Sequence, residues 1–305
     1  MSNIDASVLH RAAALAAGAQ RFDRAALYVV ATPIGNLADL SLRAIHVLAQ
    51  VDAVAAEDKR VAGRLLAHLA LTKPLVSLHA HNERAGAETV CARLAAGEAV
   101  AYVSDAGTPA VSDPGARLVA AAAAAGHRIV PIPGPSSALA ALAAAGDAQG
   151  SGFRFAGFLP AKGAERRAAI EALAAEAGTV VLFEAPHRLA ELVDALAAGQ
   201  PGRRVTLARE LTKQFETVHT AAAVALPAWL AADANRQRGE FVLVLHALPR
   251  AAPAAGGLPE KAERTLALLL RALPLKQAVT LAAEISGAPR NALYAHALAH
   301  RAPAA

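Results

Sequence analysis

Five short apolar runs, at residues 27–31, 52–56, 75–78, 99–103 and 128–132, alternate with helical patterns at 40–50, 61–71, 83–96, 116–125 and 137–145. Runs of four or five apolar residues without polar alternation are strands buried on both faces. A helix after each strand marks a parallel sheet. The segment Gly146-Asp-Ala-Gln-Gly-Ser-Gly152 reads as a flexible joint and the domain boundary. Beyond it, strands at 153–158, 179–184, 204–208, 215–220 and 240–246 are interleaved with helices at 165–177 and from Pro186. Their less regular spacing predicts a mixed sheet. A Pro/Ala/Gly-rich linker, 248–258, leads to three short helices at 259–272, 275–286 and 289–300, interrupted by Pro274 and Gly287. The fold class is therefore α/β. Two α/β domains, 26–147 and 151–248, are followed by a helical region, 259–305, and residues 1–25 are expected to be a disordered extension.

Composition narrows the setting. The 305 residues are 55% hydrophobic but only 4% aromatic, so the mean hydropathy of +0.34 reflects alanine, not lipid-facing surface. No run of 18 strongly apolar residues is present, which argues against a membrane protein. The charged N-terminus does not read as a secretion signal. One cysteine, Cys91, precludes an internal disulfide, fits a reducing cytoplasm, and is expected to act as a buried small hydrophobe. Thirty basic against 25 acidic side chains give a net charge of +5, which mildly favours a polyanionic partner.

The chemistry concentrates in two loops. Ser104-Asp-Ala-Gly-Thr-Pro-Ala-Val-Ser-Asp-Pro-Gly115 follows one apolar run and opens into a helix, and Pro131-Ile-Pro-Gly-Pro-Ser-Ser137 does the same one βα unit later. Pro109 and Pro114 fix φ, whereas Gly107 and Gly115 permit angles other residues avoid, so the first loop has a defined shape. Strand ends that feed helix starts are where α/β sheets bind ligands, and two such loops on one edge predict one site. No Walker loop and no Gly-x-Gly-x-x-Gly follows a strand, which leaves a Rossmann dinucleotide or Rossmann methyltransferase site unsupported.

Further blocks stand in order along the chain: Leu27-Tyr-Val-Val-Ala-Thr-Pro-Ile-Gly-Asn-Leu37, Ala56-Glu-Asp-Lys-Arg60, Ser77-Leu-His-Ala-His-Asn-Glu83, Phe183-Glu-Ala-Pro-His-Arg188, Ala208-Arg-Glu-Leu-Thr-Lys-Gln-Phe-Glu-Thr217 and Arg238-Gly-Glu-Phe241. With the two loops they resemble the tetrapyrrole methylase superfamily, and within it the branch of small-subunit ribosomal RNA methyltransferases of type I. The sequence departs from that pattern at Ala31, Lys59, Ala80 and His219-Thr220. The resemblance implies an S-adenosylmethionine-dependent enzyme with the cofactor bent into an interdomain cleft, acting as a homodimer. It implies methylation of the ribose 2′-hydroxyl of a cytidine, cytidine 1402, in the decoding region of 16S rRNA on the small ribosomal subunit. The competing readings are a tetrapyrrole (precorrin-type) C-methyltransferase, which would not need the helical tail, and a non-catalytic RNA-binding protein.

On this resemblance Pro33, Asp105, Ala106, Gly107, Thr108, Pro109, Ser112, Ser136 and Ser137 are assigned to the cofactor. Glu57, Asp58, Glu184 and Lys213 are the catalytic candidates, as proton acceptors, ribose orienters or hydroxyl activators. Glu57 and Asp58 also suit a helix N-terminus, where the dipole favours acids, and Lys213 also suits a surface pair with Glu210. Arg60, His81, Arg188, Lys276 and Arg290 are the RNA-contact candidates. His79-x-His81-Asn82-Glu83 looks like a metal set but lacks further ligands at close spacing, so no metal is expected and Asn82 is predicted to cap a helix. Tyr294 shares a helix face with Leu298 and is predicted to be core.

Overall fold

A computed structural model describes residues 5–249 and 258–299. Residues up to Leu248 form one compact unit and the C-terminal residues a second, each with its own core.

The chain opens with helix α1 (Ala6–Ala17) and continues through β1 (Ala26–Val30), α2 (Leu42–Gln50), β2 (Ala53–Ala56), α3 (Lys59–His68) and β3 (Leu75–Ser77). Next come α4 (Glu83–Ala95), β4 (Val100–Val103), α5 (Ala116–Ala124), β5 (Arg128–Ile132) and α6 (Ser137–Ala145). The five strands form a wholly parallel sheet in the order β3-β2-β4-β1-β5, with Leu27 opposite Val100 and Ile129. The central strands β2 and β4 are buried along their whole length, as uninterrupted apolar runs require. Their C-terminal ends all point to one edge, where the two loops lie.

The expected disorder at the N-terminus is corrected by α1. Asp5 caps it by accepting from Ser7 N, Ala13 and Ala17 are buried, and the helix packs against α2. His10 Nε2 lies 2.7 Å from the Leu69 carbonyl. Alanine spacing supplied this buried stripe without the bulky residues that mark an amphipathic helix in sequence.

The second sheet is built from β6 (Phe153–Phe158), β7 (Thr179–Glu184), β8 (Arg204–Arg209), β9 (Thr217–Ala222) and β10 (Phe241–Leu245). Helices α7 (Gly163–Ala175), α8 (Pro186–Gly199) and α9 (Leu226–Ala231) lie between them in sequence. The order is β6-β7-β10-β8-β9; β6 and β7 are parallel and every other neighbouring pair antiparallel, so the sheet is mixed. Strand β9 starts two residues later than its apolar pattern implied, because Phe215 belongs to a turn closed by Glu216 N donating to the Lys213 carbonyl.

Helix α6 joins the two halves. Ser136 caps it, and Ala138, Ala141 and Ala145 face Val181, Ala208, Val242 and Val244 of the second sheet. The following segment is not the flexible joint that its glycines imply. Asp147 accepts from Thr179 Oγ1 at 2.6 Å and from Ala247 N at 2.8 Å, with its side chain buried, which pins the crossing to the base of the second sheet.

In the C-terminal unit α10 (Glu260–Leu270), α11 (Leu275–Ser286) and α12 (Arg290–Ala299) pack around Leu266, Val279, Ala282 and Leu293. Tyr294 is 41% exposed and Leu298 49%, so their shared face is surface, contrary to the prediction of a core pair. The predicted linker lies largely outside the described residues.

One buried cation fixes the second core. Arg203, 3% exposed, donates to the carbonyls of His246, Leu173, Glu176 and Gly178 at 2.7–3.1 Å and to Gln200 Oε1 at 3.0 Å. Truncation leaves the buried carbonyls of His246 and Leu173 and the partly buried ones of Glu176 and Gly178 short of a donor, a loss of about 1 kcal/mol or more at each buried one. Arg203→Ala is expected to lower unfolding stability by about 3 kcal/mol, read as a shift of the urea midpoint at unchanged slope.

Candidate active site

The two predicted loops meet. Thr32 N donates to the Gly107 carbonyl at 2.9 Å and Gly107 N to the Thr32 carbonyl at 3.0 Å, while Thr108 Oγ1 donates to the Pro135 carbonyl at 3.0 Å. The first loop carries positive φ at Ala110 (63°) and Ser112 (65°) as well as at Gly107 and Gly115, a costly set for non-glycine residues. It is held by its surroundings. Tyr102 Oη donates to the Pro114 carbonyl, and Glu83 Oε1 accepts from Gly115 N at 2.9 Å and Arg117 N at 3.2 Å. Glu83, at the start of α4, therefore caps α5 from outside. Gly115 has φ 119°, and a Cβ there would collide with the Tyr102 ring.

Above these loops lies a cavity of about 500 Å³ between the two sheets. Asp105, Ala106, Gly107 and Thr108 form one wall, and Ser136 and Ser137 at the start of α6 a second. Phe158, Phe183, Leu211, Glu240 and Phe241 close it from the second sheet. At the rim the Ile34-Gly35 turn meets the loop before β9: a Cβ on Gly35 would stand 2.5 Å from Lys213 Cγ. Glycine allows that approach.

Five acidic residues line the cavity; Glu184 and Glu240 are held in ion pairs with cations, which leaves Glu57, Asp105 and Asp113. Burial, reinforced by Asp105, Asp113 and Asp58, raises the Glu57 pKa from its ordinary value. Burial also raises Asp113, with Asp105 adding to it. Crowded acids in a half-buried cleft favour a proton or a cationic guest.

Not every candidate from the sequence lines this cavity. Pro33 lines a smaller neighbouring cavity, and Pro109 and Ser112 shape the loop. Asp58 is the N-cap of α3, accepting from Arg60 N at 2.7 Å, and its ion pair with Arg60 holds its pKa down to about 2. That makes Asp58 a poor proton acceptor, and Glu57 faces the cavity instead. Glu184 lines the cavity, yet its carboxylate is fully buried, 2.9 Å from both Arg166 Nη2 and Arg188 Nε and accepting from Ala185 N. It is a structural anchor, and Arg188, 15% exposed, is its partner instead of a free RNA contact. Lys213 Nζ is shared between Glu210 and Glu240, 2.9 Å from each. Asn82 occupies the N-cap position of α4 without bonding into the helix; its Oδ1 accepts from His79 N and its Nδ2 donates to the Ser77 carbonyl. Arg60 and His81 are exposed, as are Lys276 and Arg290 in the C-terminal unit. His219, where the sequence departs from the family pattern, stacks on Trp229 with ring centroids 4.2 Å apart. Cys91 packs against the core of the first sheet, and burial raises its thiol pKa. The cavity residues without a role assigned from sequence include Asp113, within the loop, Phe183 and Phe241, which stand in quoted blocks, and Phe158, which stands in none.

The family of tetrapyrrole (corrin/porphyrin) methylases matches residues 26–227, and the RsmI C-terminal HTH domain matches 256–301. Among solved structures, a diphthine synthase superposes with TM-score 0.56 at 15% identity, covering 72% of this chain and 89% of that one. A cobalt precorrin-4 methyltransferase of cobalamin biosynthesis gives 0.54 at 19%, covering 72% and 94%. These likenesses concern the fold. Fold and family together define a methyltransferase of the tetrapyrrole methylase class. Curated proteins named ribosomal RNA small subunit methyltransferase I are similar along nearly the whole chain. Those of Escherichia coli O157:H7 and Pseudomonas aeruginosa are each 50% identical over 273 residues, covering 89% of this chain and 94% and 96% of theirs. The chain belongs to the ribosomal RNA small subunit methyltransferase I family.

The raised Glu57 pKa has a sign. A carboxyl that is harder to ionise in the fold than in the unfolded chain costs stability once the pH exceeds its folded value, and nothing below its unfolded value. Glu57→Gln is therefore expected to raise the thermal midpoint of the ligand-free protein at pH 7. The gain should vanish as the pH falls through the carboxylate range, which calorimetry across pH checks.

Proposed function

We propose that this protein transfers a methyl group from S-adenosylmethionine to the ribose 2′-hydroxyl of a cytidine in the decoding region of 16S rRNA. The observation that carries the reading is the carboxylate-lined cleft between the sheets, in a chain whose relatives are named for small-subunit ribosomal RNA methylation.

The residues present suit the donor. S-adenosylmethionine is a cation at sulfur and at its amino group, and Glu57, Asp105 and Asp113 supply the opposing charge. Ser136, Ser137 and the backbone of Gly107 and Thr108 offer polar contacts, while Phe158, Phe183 and Phe241 give apolar walls for an adenine ring. Bound there, the donor supplies an electrophilic methyl group.

The chain's own work is positioning and proton transfer. Holding two reactants in line can supply roughly 7–11 kcal/mol, whereas a general base contributes about 10²–10⁴-fold. Glu57, with its raised pKa and open side of the cleft, accepts the ribose proton. Lys213, bridging Glu210 and Glu240, ties the rim of the second sheet together and keeps the Ile34-Gly35 turn in place. Arg60, His81, Lys276 and Arg290, all exposed, contact RNA backbone. The assembly expected from the family resemblance is a homodimer, checked by light scattering. A cytoplasmic setting accords with the lone Cys91 and with the lack, among the described residues, of any helix long and apolar enough to cross a membrane.

Mass spectrometry of decoding-region fragments from cells with and without the gene should show the loss of one ribose methyl; an unchanged pattern sinks the reading. In purified protein, Glu57→Gln is expected to lower kcat by about 10²–10⁴-fold, far more than it weakens cofactor binding by calorimetry. Equal turnover would remove Glu57 from the chemistry.

A further inference from the structure

A second cavity, of about 220 Å³, lies beside the first and shares Asp105 with it. Its walls include Thr32, Pro33, Leu37, Val61, Arg64 and Asp105. Pro33, Leu37 and Val61 give it apolar sides. Its charged groups are one cation, Arg64, and one anion, Asp105. Arg64 lies on α3, is exposed, and makes no salt bridge among the described residues, though its charge helps hold the Asp58 carboxyl low. Asp105 uses Oδ1 to accept from Asp58 N at 3.0 Å, which fixes the carboxylate and leaves Oδ2 without a hydrogen bond among the described residues.

The volume is below the roughly 300–1,000 Å³ typical of sites for larger ligands, and it suits a single six-membered ring better than a purine nucleoside. Flat bases taken out of a stack are held between apolar faces and read at the hydrogen-bonding edge. Cytosine presents an amino donor at N4 beside acceptors at N3 and O2, which match a carboxylate and a guanidinium respectively. Uracil puts a carbonyl in place of the amino group, facing the Asp105 carboxylate, and an N–H in place of N3. Position supports the same reading. Glu57 precedes α3 and faces the larger cavity, and α3 carries Val61 and Arg64 in the smaller one. A nucleoside with its base in the smaller cavity reaches the boundary at Asp105 with its ribose.

We propose that this smaller cavity is the subsite for the acceptor base, in which Arg64 and Asp105 select cytosine over uracil and the walls exclude purines. The inference rests on the ribosomal RNA reading above.

The test uses purified full-length protein, labelled S-adenosylmethionine, and small subunits lacking the methyl group that carry either cytidine or uridine at the acceptor position. Wild-type protein should prefer cytidine. Arg64→Ala, a surface change, should cut the cytidine-to-uridine ratio of kcat/KM by about tenfold or more, with cofactor affinity unchanged. Val61→Trp, which fills the slot, should lower transfer to cytidine about a hundredfold, again with cofactor bound normally. An Arg64→Ala protein slowed equally on both substrates would make Arg64 a phosphate contact and overturn the subsite. So would wild-type ratios and rates in both variants, while leaving the rRNA reading intact. Wild-type protein that methylates neither substrate overturns the rRNA reading and the subsite with it.

Discussion

The contact between α6 and the second sheet is the constraint on which the rest of the molecule depends. The buried face of Ala138, Ala141 and Ala145 ends in methyl groups, with Leu142 partly buried at its margin, so the helix packs its small residues against Val181, Ala208, Val242 and Val244. Ala141 is fully buried, so a leucine in its place would overpack this contact. The start of α6 contributes Ser136 and Ser137 to the site, and its end delivers Asp147 to the far end of the same sheet. One nine-residue helix thus supplies both the packing contact with the second sheet and one wall of the site.

The polar groups divide into those that build and those left to react. Buried charges are tolerated where each is paired, and breaking such a pair is costly. Glu184 with Arg166 and Arg188, and Arg203 with its ring of carbonyls, belong to the first kind. Glu57 and Asp113 belong to the second: burial and neighbouring carboxylates raise them, and no cation makes an ion pair with either among the described residues. Asp58 and Glu57 are adjacent in sequence and opposite in character. The difference lies in Arg60, which locks Asp58 at the helix start and leaves its neighbour facing the cleft.

Strand and helix order was legible because buried parallel strands are continuous apolar runs and their connecting helices are long. The loops were legible because proline and glycine fix their own dihedrals. Roles that depend on a distant partner were not. Nothing near Glu184 in sequence announces Arg166, and nothing near Asn82 shows that its amide would latch the preceding loop while Glu83 reached across to α5. Glycine content misread residues 146–152 for the same reason, since the bonds that hold them come from Thr179 and Ala247. Alanine-rich stripes hid both the docking of α1 and the exposure of Tyr294, because small residues weaken the contrast between faces.

The anchoring of Asp147 bears on the thermodynamics of ligand binding. A hinge needs residues free to change φ and ψ, and it exacts an ordering entropy each time a guest closes it. Here the crossing is bonded to two neighbouring antiparallel strands at one end of their pairing, by Thr179 at the start of β7 and Ala247 beyond the end of β10. The entropy of bringing the two walls together is spent once, during folding. Each catalytic cycle then begins with the walls in register, and the free energy of docking a guest goes into affinity and alignment instead of into assembling the chamber.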